Sequence, residues 1–222
     1  YQIPALMLPG VTLVVSPLIS LMKDQTDNLK RRRVKAVYYH SGMSAREVRL
    51  TREKLMNGGA KLLYVSPERL CNVRFLQELR FLEVSMIVVD EAHCISQWGY
   101  DFRPSYLEIA KLRKMFPHAP VLALTATATP IVEQDIVANL GMKGEARFRM
   151  SFSRSNLNYI VRGAETKIHE VFHILSRTQG SAIVYVRSRR RTREISDFLE
   201  AGGISATFYH ACLLYTSPSP RD

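Results

Sequence analysis

The chain has 222 residues, 46% hydrophobic and 23% charged, the composition of a globular protein with a sizeable buried core, which excludes disorder, collagen and coiled coil. Lys and Arg outnumber Asp and Glu by 31 to 20, a formal charge of +11. That surplus favours a polyanionic partner such as nucleic acid or nucleotide, although many basic proteins bind neither.

The first 22 residues carry no charge, but Pro4, Pro9, Gly10 and Pro17 interrupt them and no basic segment precedes them, against a signal or membrane segment. Tyr1 opens the chain in apolar sequence like the inside of a domain, so an upstream part is expected. Nearly continuous apolar runs follow at Val11 to Ser16, Ala36 to Ser41, Lys61 to Ser66, Met86 to Ala92 and Val121 to Ala128. They recur roughly every 25 to 35 residues, the length of a β-α unit. Runs without polar alternation suit strands covered on both faces, so the expected fold is α/β, a parallel sheet flanked by helices.

Helical segments lie between the strands. Ser16-Pro17 predicts an N-cap and N1 proline for a helix with Leu18, Leu21, Met22, Gln25 and Leu29 on one face. Ser44 with Glu47 predicts a capping box, and Asn57-Gly58-Gly59 the end of that helix. Thr129-Pro130 opens another, with Ile131, Ile136, Val137 and Leu140 on one side and Gly141 at its end. After Met150 a polar stretch from Ser151 to Asn158 marks a domain boundary, and a helix is expected near Lys167. Ser181 to Val186 and Ser205 to His210 read as strands around an Arg189 to Ala201 helix, the opening of a second domain. From Cys212 to Asp222 the composition changes abruptly, so that stretch is expected to be a non-native tail. The three cysteines, Cys71, Cys94 and Cys212, lack C-x-x-C spacing and indicate neither disulfide framework nor zinc site; a reducing compartment fits them.

The sharpest chemical signal is Asp90-Glu91-Ala92-His93 directly after the strand Met86 to Val89. Ligands of open α/β sheets gather at the carboxyl ends of strands. There Asp90 could hold Mg²⁺ on nucleotide phosphates through water, and Glu91 could orient or deprotonate an attacking water. At the next strand end, Leu124 to Thr129 offers small hydroxyl residues; alone, Thr129 could be only a cap and Thr125 only a β-former. Between them, Cys94 to Pro104 concentrates Trp98, Tyr100, Phe102, Gln97 and Arg103. Rings give bases a stacking platform and arginine adds phosphate or cation–π contact. The competing expectation is core packing, common for a sole tryptophan. Two basic runs, Lys30 to Arg33 with Lys35 and Arg187 to Arg193, could track phosphates. The first follows a helix, where cations are favourable anyway; the second opens one, where they are not.

In this order the segments resemble the RecQ family of ATP-dependent DNA helicases, within superfamily two. Val14 to Gln25 resembles motif Ia, Tyr64 to Leu70 motif Ib, Asp90 to His93 motif II, Cys94 to Pro104 the aromatic-rich loop, and Leu124 to Thr129 motif III. Phe152 to Leu157 is similar to the segment opening the second helicase domain, and Ile183 to Arg189 to motif IV. The resemblance implies two RecA-like domains, 1–150 and 151–211, with ATP and Mg²⁺ in the cleft between them and single-stranded or branched DNA across their tops. It implies that Ser16, Pro17, Lys23 and Ser66 touch the DNA backbone, that Asp90 and Glu91 serve Mg²⁺ and water, and that His93, Thr125 and Thr127 link the domains. Gln97, Trp98, Phe102 and Arg103 would couple DNA binding to hydrolysis in a 3′ to 5′ motor of recombination and repair, cytoplasmic and nucleoid-associated in a bacterial cell.

Several positions depart from the family. Tyr100 replaces the usual His, leaving stacking but no titratable group, and Ser155 stands where Pro is common. No Gly-Lys-Ser/Thr phosphate loop precedes these motifs, and Tyr209-His210-Ala211-Cys212 departs from the family's Tyr-His-Ala-Gly. An internal fragment, inactive by itself, is therefore expected. A noncatalytic nucleic-acid-binding module and an RNA or chromatin motor of the same superfamily are the alternatives.

Overall fold

The computed structural model describes residues 1–151 and 154–210. The expected tail, and Phe152 and Ser153 of the segment expected to open the second domain, lie outside the described residues. The chain forms two compact units, dividing between Phe148 and Arg149.

In the first unit a parallel sheet holds β1 (Val11–Val15), β2 (Ala36–Tyr39), β3 (Leu62–Val65), β4 (Val84–Val89) and β5 (Val121–Ala123) in the order β2-β3-β1-β4-β5. Its helices are α1 (Gln2–Met7), α2 (Ile19–Arg31), α3 (Ala45–Met56), α4 (Val73–Leu79), α5 (Ile109–Met115) and α6 (Pro130–Asn139). Strand residues alternate between two cores because successive side chains point to opposite faces. Leu13, Val15, Leu63, Val65, Ile87 and Val89 pack with residues of α3, α4, α5 and α6, while Val14, Leu62, Tyr64, Met86 and Val88 pack with Ala5 of α1 and with Met22 and Leu29 of α2. Both faces are covered, which is why the strands read as unbroken apolar runs.

Only the step from β1 to β2 runs leftward in this order, and right-handed crossover therefore puts α2 on one face while α3, α4 and α5 occupy the other. The chain thus leaves the adjacent strands β1 and β4 toward opposite faces, which opens a crevice between their carboxyl ends. At the far end of β1, Gly10 turns with φ +67°, and a Cβ there would lie 2.2 Å from the Glu83 carbonyl oxygen; only glycine admits that approach.

The capping box at Ser44 and Glu47 forms, and Thr129 caps α6 with Pro130 in its first turn. Ser16 does not cap α2. Its amide bonds the Val65 carbonyl, prolonging the ladder, so Ser16 stays with the sheet and the helix waits until Ile19. On α6 the buried stripe is Val132, Ile136 and Leu140, whereas Ile131, one residue and about 100° away, is exposed.

The second unit contains α7 (Lys167–Leu175) and α8 (Arg189–Ala201), the latter capped by Ser188. Phe172 and His169 of α7 meet Phe198 of α8 edge-on. Ser181 to Val186 and Ser205 to His210 are not strands here. A strand exists only through its ladder, and an isolated pair is marginal in water.

Candidate functional site

The site is built on the carboxyl ends of β1, β3, β4 and β5. The Asp90 amide continues the β1–β4 ladder by bonding the Val15 carbonyl, and its own carbonyl accepts from the Tyr106 hydroxyl at 2.9 Å. Its Oδ1 accepts the Glu91 amide at 3.1 Å. Burial raises the Asp90 pKa, Glu91's charge adds to the rise, and the Glu91 amide opposes it. Among the described residues no cation pairs with this carboxylate. A half-buried acid with spare acceptor capacity fits a divalent cation, and Mg²⁺ needs only one or two protein carboxylates because it keeps waters and substrate phosphates.

Glu91 turns the chain sharply, with φ 47° and ψ 46°. That left-handed conformation is costly outside glycine and is retained where surrounding contacts hold it. The turn sets Glu91 Oε2 3.3 Å from His93 Nδ1, and the same nitrogen lies 2.9 Å from Thr125 Oγ1. The Thr127 amide donates to Thr125 Oγ1 at 3.2 Å. His93 is thus the joint between the acidic turn and the segment after β5, whose Leu124 carbonyl also accepts the Ala92 amide. The Cys94 thiol is buried and pushed up to about 11, first by desolvation and then by Asp101, with Arg103 opposing; such a thiol is inert at neutral pH.

Two short 3₁₀ turns, Ala92–Ile95 and Pro104–Glu108, frame the aromatic loop. Trp98 is 76% exposed and Tyr100 wholly so, which removes core packing as their role and leaves two ring faces open to solvent. Phe102 is half-buried and Gln97 exposed. The Arg103 guanidinium grips Asp101 through Nε at 3.1 Å and Nη2 at 2.8 Å, while its Nη1 donates to the Pro17 carbonyl at 3.0 Å. The loop's closing residue is therefore tied to the end of β1.

Ser16 and Ser66 sit side by side, following the paired residues Val15 and Val65. Each is 1% exposed, and neither hydroxyl has a hydrogen-bond partner among the described residues. Buried hydroxyls are ordinarily satisfied; those of Thr12 and Tyr39 are likewise without a partner among the described residues, so the condition is not confined to these two serines. Pro17 is buried beside them, whereas Lys23 is exposed on α2. The structure thus brings together Ser16, Pro17, Ser66, Asp90, Glu91, His93, Thr125 and the aromatic loop; Lys23 and Thr127 stand at its edge. No local pattern singles out Tyr106, Ser96 and Asp135, whose contacts here are with residues distant in the chain.

Comparison with known proteins agrees with this architecture. The sequence model of the DEAD/DEAH box helicase family matches residues 1–136. The ATP-dependent DNA helicase RecQ of Pasteurella multocida is 43% identical over 214 residues, 96% of this chain and 34% of that protein. RecQ of Bacillus subtilis is 42% identical over 215 residues, 96% of this chain and 36% of that protein. The chain therefore spans about a third of the length of these curated relatives. Among solved structures, the helicase MrfA bound to DNA and AMPPNP superposes with a TM-score of 0.63 at 16% identity, covering 90% of this chain and 31% of that one. The Hef helicase domain of Pyrococcus furiosus gives 0.50 at 20% identity, covering 91% of this chain and 41% of its own. At those identities the likeness concerns the fold.

Proposed function

This chain belongs to the DEAD/DEAH box helicase family, and from that premise we propose that it serves an ATP-dependent DNA helicase of RecQ type, moving 3′ to 5′ along single-stranded DNA and unwinding duplex or branched DNA in recombination and repair. The observation that carries the reading is the acidic pair at the crevice beside β1, with the ring-bearing loop tied to both. The RecQ relatives support the type. Residues 1–150 would form the first RecA-like domain and 151–211 the opening of the second, in a cytoplasmic, nucleoid-associated protein. No helix among the described residues is long and apolar enough to cross a membrane.

In this mechanism Asp90 is the residue that would hold Mg²⁺, whose chemistry when bound would be charge neutralisation on the phosphates of ATP. Glu91, held forward by its left-handed turn, orients the attacking water and accepts its proton. His93 passes any movement of Glu91 to Thr125, and the backbone beyond it carries that movement to Thr127. Trp98 and Phe102 stack on bases, and Gln97 and Arg103 meet the strand's polar edges. Because Arg103 also holds Pro17, a base seated on the loop is felt at the end of β1. Ser16, Ser66 and Lys23 would face backbone phosphates, the two serines after neighbouring side chains yield.

In an ATP-hydrolysing protein carrying this chain, Glu91→Gln is expected to abolish DNA-stimulated turnover and spare nucleotide binding; retained turnover removes Glu91 from the role. The exposed rings of Trp98 and Tyr100 also suit a second reading, a nucleic-acid-binding module without hydrolysis. Binding of oligo(dT) without measurable binding of ATP to this chain would accord with it.

A further inference from the structure

We infer that Asp135, half-buried midway along α6, is a positioning residue that presets the aromatic loop for DNA through Ser96. This rests on the reading that the loop contacts single strands.

The Ser96 hydroxyl donates to Asp135 Oδ2 at 2.6 Å, within the range of a charge-assisted O–H···O⁻ bond. The same hydroxyl accepts the Trp98 amide at 3.1 Å, and the Ser96 carbonyl accepts the Gly99 amide at 3.0 Å. Ser96 is fully buried. Both of its oxygens thus hold the stretch that carries Trp98, and Asp135 fixes the rotamer of the hydroxyl. The loop's ends are anchored separately: His93 to Thr125 at one side, the Arg103 amide to the Cys94 carbonyl and its side chain to Pro17 at the other. Between these anchors, Gln97 to Tyr100 depends on Ser96. No cation pairs with Asp135 among the described residues, so its short bond to Ser96 is not shared with an ion pair.

α6 is capped by Thr129, four residues beyond Thr125. The His93–Thr125 and Ser96–Asp135 bonds therefore join the acidic turn and the aromatic loop to one continuous segment, Thr125 to Asp135. A shift of that segment moves Glu91's neighbour and Trp98's anchor together. Holding Trp98 in place before DNA arrives lowers the ordering cost of binding.

Trp98 is the sole tryptophan of the chain, so its fluorescence reports on the loop without labelling. The test compares wild type, Asp135→Ala, Asp135→Asn, Ser96→Ala and the control Gln134→Ala, an exposed neighbour on α6, by time-resolved anisotropy and by Trp98 titration with oligo(dT). Asp135→Ala is expected to add fast nanosecond depolarisation and to weaken oligo(dT) binding about fivefold, the equivalent of one lost hydrogen bond. Asp135→Asn, whose side-chain carbonyl still accepts from Ser96, keeps the wild-type behaviour. Ser96→Ala moves in the same direction as Asp135→Ala, the two effects are not additive, and Gln134→Ala changes nothing. Unaltered depolarisation and affinity in Asp135→Ala overturn the inference. If that variant unfolds by circular dichroism, Ser96→Ala decides by the same two measurements. If wild-type Trp98 does not respond to oligo(dT) at all, the DNA-contact reading of the loop falls, while the anisotropy comparison still settles whether Asp135 holds Trp98.

Discussion

The hydroxyl of Tyr106 donates a 2.9 Å hydrogen bond to the main-chain carbonyl of Asp90, joining the turn after the aromatic loop to the strand end that carries the acidic pair. Tyr106 is fully buried, and burial, with Cys94 and Asp90 adding to it, holds its phenol above the usual range, so it is a donor at neutral pH. Tyr106→Phe keeps the ring and leaves the Asp90 carbonyl unpaired. We expect a loss of about 1–2 kcal/mol in urea unfolding; an unchanged midpoint would show the bond to be incidental.

Asp90 itself has a raised pKa because burial disfavours its charge. For such a group the folded state binds its proton more tightly than the unfolded chain does, so the penalty is present above the folded pKa and vanishes below the unfolded value of about 3.9. Asp90→Asn, which can still accept the Glu91 amide, should therefore be more stable than wild type at pH 7, with the advantage disappearing as the pH falls below about 3.9. Unfolding midpoints measured across that range check the sign. An advantage that grows on acidification would contradict it.

Arg103 serves two acceptors at once, Asp101 and the Pro17 carbonyl. A lysine ammonium is a point charge without the planar fork and cannot span both. Arg103→Lys is thus expected to weaken oligo(dT) binding nearly as much as Arg103→Ala, by about fivefold or more. Full rescue by lysine would mean that charge alone matters there.

A Cβ at Gly99 would lie 2.3 Å from the His93 carbonyl oxygen and 3.0 Å from that of Ser96. Both contacts are backbone, so nothing flexible can yield. Gly99→Ala should cost about 1–3 kcal/mol and alter the Trp98 emission spectrum as the loop shifts. A variant with wild-type stability and spectrum would show that the turn is soft.

Much of this fold is legible in the sequence. The five apolar runs became five strands because a strand covered on both faces needs no polar alternation, and the Ser44–Glu47 and Thr129–Pro130 helix starts formed because a cap satisfies its own neighbours' amides. Asp90 and Glu91 were legible for a similar reason: they follow directly on an unmistakable strand. The cap that Ser16-Pro17 predicts does not form, because the Ser16 amide is claimed by Val65, a competitor 49 residues away that no local pattern reveals. Ser181 to Val186 has the composition of a strand and no ladder.

The five strands of the sheet, the helices α2, α3 and α6 and the carboxylates at the end of β4 follow from residues a few positions apart, whose chemistry is local. Long-range packing decides which strands adjoin, that Ser16 and Ser66 lie together with hydroxyls unpaired among the described residues, that Tyr106 steadies Asp90, and that Asp135 holds Ser96 from 39 positions away. Those contacts form between chemically ordinary residues, and they exist because right-handed crossovers fold distant segments onto the same edge of one sheet.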